Sequence, residues 1–380
     1  MSAVARRTAT LRVAPPTRRP WTVWFCLVFP SAFVVHKYLG VAGLFAYAAA
    51  VAAVLAVLPG LAWHPSERAV WRLAAATFLA LIVVFALVYP AVNRHDAGAG
   101  SDDDDALDIG AAALLQGRSP YEERTYLGNV LHHLPGSFVL AAPFVLLSSS
   151  AWQNLLWLPL FFAAATVQAR DPRRGLSLLW LMLGLSPVVW QQVVTGSGHL
   201  ANSLSVLLGL WWLIRTRHRD VAAVAWGVTL ASRANFLLLL PLAFAWLRQH
   251  RGRTAALRAT ALTVATCAAL TVPFYWHDPG NFGPLDAADR LTRFDALLPH
   301  LGTLLMCLTA LLALVLACRQ MDVVGVRLYG GATIVLGFPV VAGLVVSSLW
   351  AHGWELSYAQ YGTFFAPFGL YARHVAARDG

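Results

Sequence analysis

Charge is scarce in this sequence. Asp, Glu, Lys and Arg make up 12% of the 380 residues and hydrophobic residues 58%, where an ordinary soluble domain has roughly 25% charged residues. No soluble core of this size absorbs so much apolar surface, so a water-soluble globular fold is excluded. The period-2 alternation that a membrane β-barrel needs is also missing. Cys26, Cys267, Cys307 and Cys318 lie in or beside apolar blocks, with no CxxC pair and no histidine at metal-ligand spacing. Neither a disulfide framework nor a zinc site is indicated. There is no repeat of roughly 20 to 50 residues and no small-residue cleavage site after Trp21 to Val35. The first apolar run therefore reads as a span and not as a removed signal, and residues 1–20, with Arg6, Arg7, Arg12, Arg18 and Arg19, as a basic cytoplasmic tail.

What is present is apolar sequence in blocks of about 15 to 27 residues, close to the roughly 20 that an α-helix needs to cross hydrocarbon. Clear spans run from Trp21 to Val35, Tyr38 to Trp63, Val70 to Val92, Ala255 to Tyr275, Leu301 to Cys318, Leu328 to Trp350 and Leu356 to Tyr371. Five further blocks between Leu131 and Leu247 bring the expected total to about twelve. The expectation is an all-α polytopic transmembrane protein, with residues 21–380 forming a single transmembrane domain.

The net charge of +10 comes from arginines in short segments between the blocks. They act as topology signals and not as a nucleic-acid surface. Segments 64–72, 248–258 and 319–327 are assigned with both tails to the cytoplasm, and the loops at about 93–130 and 276–299 to the outside. Five crossings between 131 and 247 would put Arg170 to Arg174 and Arg215 to Arg219 outside, against the positive-inside rule. One block there, with Ser137 to Leu147 the leading candidate, is therefore expected to be short or re-entrant.

Residues 101–121, SDDDDALDIGAAALLQGRSPY, are the least membrane-like stretch. Leu107, Ala111, Leu114 and Leu115 share one helical face, and Gly117 and Pro120 end it. This predicts an amphipathic helix on the outer membrane surface, with Asp102, Asp103, Asp104 and Asp105 at its positive N-terminal end. One aspartate suffices as a cap, and clustering four suits a base or a bound cation. Further on, LHHLPGSFVLAAPF (Leu131 to Phe144) places His132 and His133 at the outer end of an apolar segment, to contact a phosphate or to ride at the interface.

The order of an Asp-rich outer loop, a helix ending LLQGRSPY (Leu114 to Tyr121) and HLPG before a span resembles the GT-C superfamily of membrane glycosyltransferases. It is most similar to bacterial polyprenyl-phosphate-mannose-dependent α-mannosyltransferases. TGSGHLANSL (Thr195 to Leu204) and WGVTLASRANFLLLLP (Trp226 to Pro241) extend the likeness to about residues 93–280. More than one span precedes the loop where the family commonly has one, the usual aromatic residue in the surface helix is missing, and Arg233 stands where lysine is commoner.

The resemblance implies an inverting enzyme of the bacterial plasma membrane with its active site facing outward. It would move a hexose or pentose from a polyprenyl-phosphate sugar to a lipid or glycan acceptor. Asp102 and Asp104, then Asp105, are the candidate bases. Arg233, Arg118, Arg124, His132, His133, His199 and Asn202 are candidates for the donor phosphate. Clustered aspartates suit a divalent ion, but the resemblance implies metal-free chemistry, so neither metal nor cofactor is expected. Two other classes fit the composition. A transporter or lipid flippase would carry its ionisable groups near the midplane, and a non-catalytic subunit of a cell-envelope assembly would tolerate replacement of the aspartates.

The assigned topology predicts that a cysteine at Ala97, in a cysteine-free background, reacts with an impermeant thiol reagent in intact cells. Labelling only after permeabilisation would overturn the orientation.

Overall fold

The structure is a computed structural model and describes residues 20–58, 64–94, 101–285 and 293–377. The basic tail before residue 20, and Ala97, lie outside these residues. The described residues are helical, with no β-strand among them and one isolated antiparallel bridge between Arg124 and Val130.

Among the described residues four helices are long and apolar enough to cross a membrane: Trp21–Val57, Glu67–Val92, Arg253–His277 and Val326–Trp350. Two pairs bent by 96° and 84°, Pro135–Val145 with Ser150–Ala169 and Pro172–Leu185 with Pro187–Thr195, raise the number to six if each pair is one span. This is fewer than the twelve apolar blocks suggest. The remaining blocks form helices too short, or too interrupted, to qualify one by one.

Helix α1 (Pro20–Val57) breaks at Gly40, which has φ 67°. The Trp24 indole donates to the Ala48 carbonyl at 2.8 Å and the Tyr47 hydroxyl to the Leu27 carbonyl at 3.1 Å. In an unbroken helix these partners would be roughly 30 to 36 Å apart. The two arms therefore fold back antiparallel, as the separate apolar blocks before and after His36 require. Next come α2 (Glu67–Val92), α3 (Asp103–Leu115), α4 (Pro135–Val145), α5 (Gln153–Ala169), α6 (Pro172–Leu185) and α7 (Pro187–Thr195). These are followed by α8 (Gly198–Arg215), α9 (Arg219–Leu230), α10 (Leu240–Arg251), α11 (Arg253–His277), α12 (Leu301–Ala317), α13 (Val326–Trp350) and α14 (Ala366–Ala376).

The helices share a core around Trp226, Tyr329, Tyr371 and Phe365 and define two ends. At one end the arginine segments are tied together. Arg173 donates to the Pro65 carbonyl, Arg174 to Ala377, Arg251 to Ile214 and Gln249 to Arg319. Arg170 to Arg174 and Arg215 to Arg219 thus lie with the other basic loops, and the conflict with the positive-inside rule disappears. Its cause is α4. The amide of Leu134 before it bonds Ser232, and the amide of Ser150 after it bonds Asp108, both at the opposite end. Eleven residues span only about 16 Å, so α4 is short, stays at that end and makes no crossing.

That opposite end is built on α3. Gly117, with φ +71°, follows the helix and closes it: its amide reaches Leu114 and that of Arg118 reaches Ala113. Only a residue that accepts this left-handed backbone ends a helix so. Leu107 and Ala111 are buried, as the periodicity predicts, but beneath protein. They pack with Tyr121, Leu131, Leu134, Phe138 and Phe282. The helix expected to rest on lipid is instead clamped between the loops and α4.

Candidate functional site

The four aspartates at the start of α3 diverge because successive helical residues turn by 100°. Asp102 and Asp105 face the following loop. Asp102 accepts from the Thr125 hydroxyl at 2.9 Å and the Asn129 amide at 2.7 Å, and Asp105 from the Tyr126 backbone at 3.0 Å. Asp102 occupies the N-cap position but makes no side-chain capping bond. Asp104 is fully buried and points at α2, accepting from the Tyr89 hydroxyl and the Asn93 side-chain amide, each at 2.9 Å, through one carboxyl oxygen. Its other oxygen has no partner.

Asp103, which the sequence did not single out, is the centre of the site. Its Oδ1 lies 2.7 Å from Arg233 Nη2, 3.1 Å from His133 Nε2 and 3.6 Å from His199 Nε2. Its Oδ2 accepts from the Ser197 hydroxyl at 3.0 Å and the Gly198 amide at 2.7 Å. Burial alone would push this carboxyl up, but His199, His133 and Arg233 outweigh it and hold it well below the ordinary range. The carboxylate is therefore ionised.

Three elements converge to make this possible. Helix α9 stops at Leu230, Arg233 is extended (φ −149°, ψ 139°), and a 3-10 segment, Ala234–Leu239, leads into α10. The carbonyls left unpaired by the break accept from the start of α4: Ala231 from the Gly136 amide at 2.8 Å, and Ser232 from the Leu134 amide and the Ser137 hydroxyl. Buried backbone groups freed in this way have to find partners within the protein. The N-terminus of α8 approaches Asp103 end-on. A side chain at Gly198 would put Cβ 2.6 Å from Leu107 Cδ1, so a larger residue there would push the Leu107 side chain aside.

Arg233 Nη2 also donates to His133 Nε2 at 2.6 Å. The other ring nitrogen of His133, Nδ1, is buried without a partner. Burial, then the charge of Arg233, holds His133 below its usual pKa. Three more polar atoms here are buried without a partner: Arg233 Nε, Ser232 Oγ and Asn202 Nδ2. On the far side, the His199 ring meets Tyr361 and Phe364 edge-on, with centroids 5.4 and 5.1 Å away.

Of the candidates for the donor phosphate, Arg233, His133, His199 and Asn202 are thus gathered at one place. Arg118 is half exposed and pairs with Glu123 and Gln116. Arg124 is exposed beside the bridge to Val130. His132 turns away to the carbonyl of Gly283 at 3.1 Å. Among the described residues no group of three or more His, Cys, Asp or Glu side chains is placed to hold a metal. The sequence matches no protein-family model, no curated protein and no solved structure.

Asp104 carries a testable consequence. Burial, resisted by the Tyr89 hydroxyl and reinforced by Asp103 and Asp108, pushes its carboxyl up to about 7. A raised pKa favours the folded state while the group is protonated. That contribution is complete below the unfolded value of about 3.9 and is lost as pH rises through about 7. Asp104→Asn is therefore expected to melt above the parent protein at pH 8, with the gap narrowing toward pH 5. Equal pH dependence of the two melting curves would contradict the assignment.

Proposed function

We propose that the chain is a membrane glycosyltransferase. It transfers a sugar from a polyprenyl-phosphate donor to a lipid or glycan acceptor, with Asp103 as base and Arg233 as phosphate ligand. The observation that carries this reading is the ion pair itself. Residues 130 positions apart in sequence bring a carboxylate and a guanidinium to 2.7 Å where a surface helix meets a broken membrane helix. Arginine within a span costs about 2.5 to 3.5 kcal/mol on insertion scales, so such groups are retained for pairing or for function. The histidines and unpartnered donors around the pair are the groups expected of a site that receives a polar ligand.

The chemistry follows from the roles. The acceptor hydroxyl oxygen attacks the anomeric carbon as its proton passes to the Asp103 carboxylate. The bond from the anomeric carbon to the phosphate oxygen breaks, and the electron pair leaves with the polyprenyl phosphate. Arg233, with Asn202 beside it, stabilises the charge that develops there. A single displacement of this kind inverts the anomeric centre. Asp102, Asp104 and Asp105, whose carboxylates are engaged with the 125–129 turn and with α2, hold α3 in place.

The reading extends to topology. On this reading the described residues make twelve passages between the acidic and the arginine-rich ends: two by the arms of α1, then α2, α5, α6 with α7, α8, α9, the 3-10 segment with α10, α11, α12, α13, and the last ending in α14. With the arginines inside, both ends of the chain lie in the cytoplasm and the site opens on the outer face of a bacterial plasma membrane.

Asp103→Asn is expected to lower sugar transfer from a polyprenyl-phosphate sugar by a factor of about 10² to 10⁴ while the protein remains inserted, because a neutral amide accepts no proton. Asp102→Asn and Asp105→Asn should keep most of the activity. Undiminished transfer by Asp103→Asn would sink the proposed base.

A further inference from the structure

The partners of Asp103 form an anion cradle. The first turn of an 18-residue helix, α8, presents the Gly198 amide and the Ser197 hydroxyl to Oδ2, and Arg233 presents its guanidinium to Oδ1. Helix N-termini bind anions through free amides and the partial positive charge of the helix. A carboxylate has only two oxygens, and both are taken. Donors are still left over: Arg233 Nε and Asn202 Nδ2 have no partner although buried, and Asn202 is only 2% exposed. Asn202 sits one turn along α8. Its Nδ2 and Asp103 Oδ2 lie 3.7 and 3.5 Å from the same point, where a Cβ on Gly198 would be. The unfilled donor therefore lies beside the same helix terminus that the carboxylate caps.

We propose that this cradle, formed by Ser197, Gly198, Asn202 and Arg233, is a binding site for a phosphate monoester or diester, and that Asp103 occupies it when no phosphate is bound. The class of ligand rests on the glycosyltransferase reading, whereas the cradle and its competition with Asp103 rest on the geometry. A phosphate has more acceptor oxygens than a carboxylate and takes up Asn202 Nδ2 and Arg233 Nε as well. Its arrival displaces Asp103, because two anions at one helix terminus repel each other. Once released from Arg233, the carboxylate binds a proton more readily. The base thus becomes competent only when the donor phosphate is seated, and the polyprenyl phosphate left after transfer gives the cradle back to Asp103. Ser197 and the α8 terminus join the phosphate site as positioning groups that the sequence did not single out.

The test is calorimetric titration of the purified full-length protein in detergent with farnesyl phosphate, farnesol and inorganic phosphate. Asp103→Asn, which removes the competing charge, is expected to bind farnesyl phosphate about tenfold more tightly than the parent. Ser197→Ala and Asn202→Leu should bind it several-fold more weakly, with Asn202→Ser as a smaller change should the leucine variant fail to fold. Farnesol binding should be the same in all. Unchanged or weaker binding of farnesyl phosphate by Asp103→Asn would overturn the competition, and unchanged binding by both Asn202 variants would overturn the cradle. If inorganic phosphate binds as tightly as farnesyl phosphate, with the same ranking of variants, the cradle stands and the lipid-linked donor falls.

Discussion

Two opposite charges 2.7 Å apart, on Asp103 and Arg233, fix how this end of the molecule is built. Neither is easily buried alone, since an unpaired charge in a low-dielectric interior is costly. Helix α3, which carries the aspartate, therefore has to meet the break between α9 and α10, which carries the arginine. The break after α9 frees backbone carbonyls that the start of α4 satisfies, and this holds His133 beside the pair. The glycine opening α8 lets an amide come within 2.7 Å of the carboxylate. Removing the pair would leave these contacts without a common anchor.

Much of this was legible in the chain. Arg233, His133, His199 and Asn202 stand out because ionisable and amide side chains are rare in apolar blocks, and all four meet at one place. The helix over 103–115 and its stop at Gly117 follow from period and turn chemistry. The preference for Asp102, Asp104 and Asp105 over Asp103 did not follow from the same period carried through. Counting back three and four residues from Leu107 on the buried face gives Asp104 and Asp103, whereas Asp102 and Asp105 fall on the flanks. The face was visible, but its extension into the acidic run was not used.

Other features had no local signal. Tyr89 and Asn93 close an apolar helix, and nothing near them in sequence marks them as ligands for Asp104. Ser197 looks like an ordinary turn residue until Asp103 is seen against it. Arg118 and Arg124, chosen for their nearness to the SPY turn, serve that loop itself, since adjacency in sequence does not set the direction of an exposed side chain. The hairpin within α1 and the placement of α4 at one end depend on long-range packing, although charge placement already required something like the second.

A double-mutant cycle on Asp103 and Arg233, read as unfolding free energy in detergent, tests the central claim most directly. Asp103→Asn and Arg233→Gln should each destabilise the protein by on the order of 3 kcal/mol, because each leaves the opposite charge buried and unpaired. The double variant should lose clearly less than the sum of the two, by about 1 to 3 kcal/mol. Strictly additive losses would mean that the two charges are not energetically joined, and the site as described would not exist.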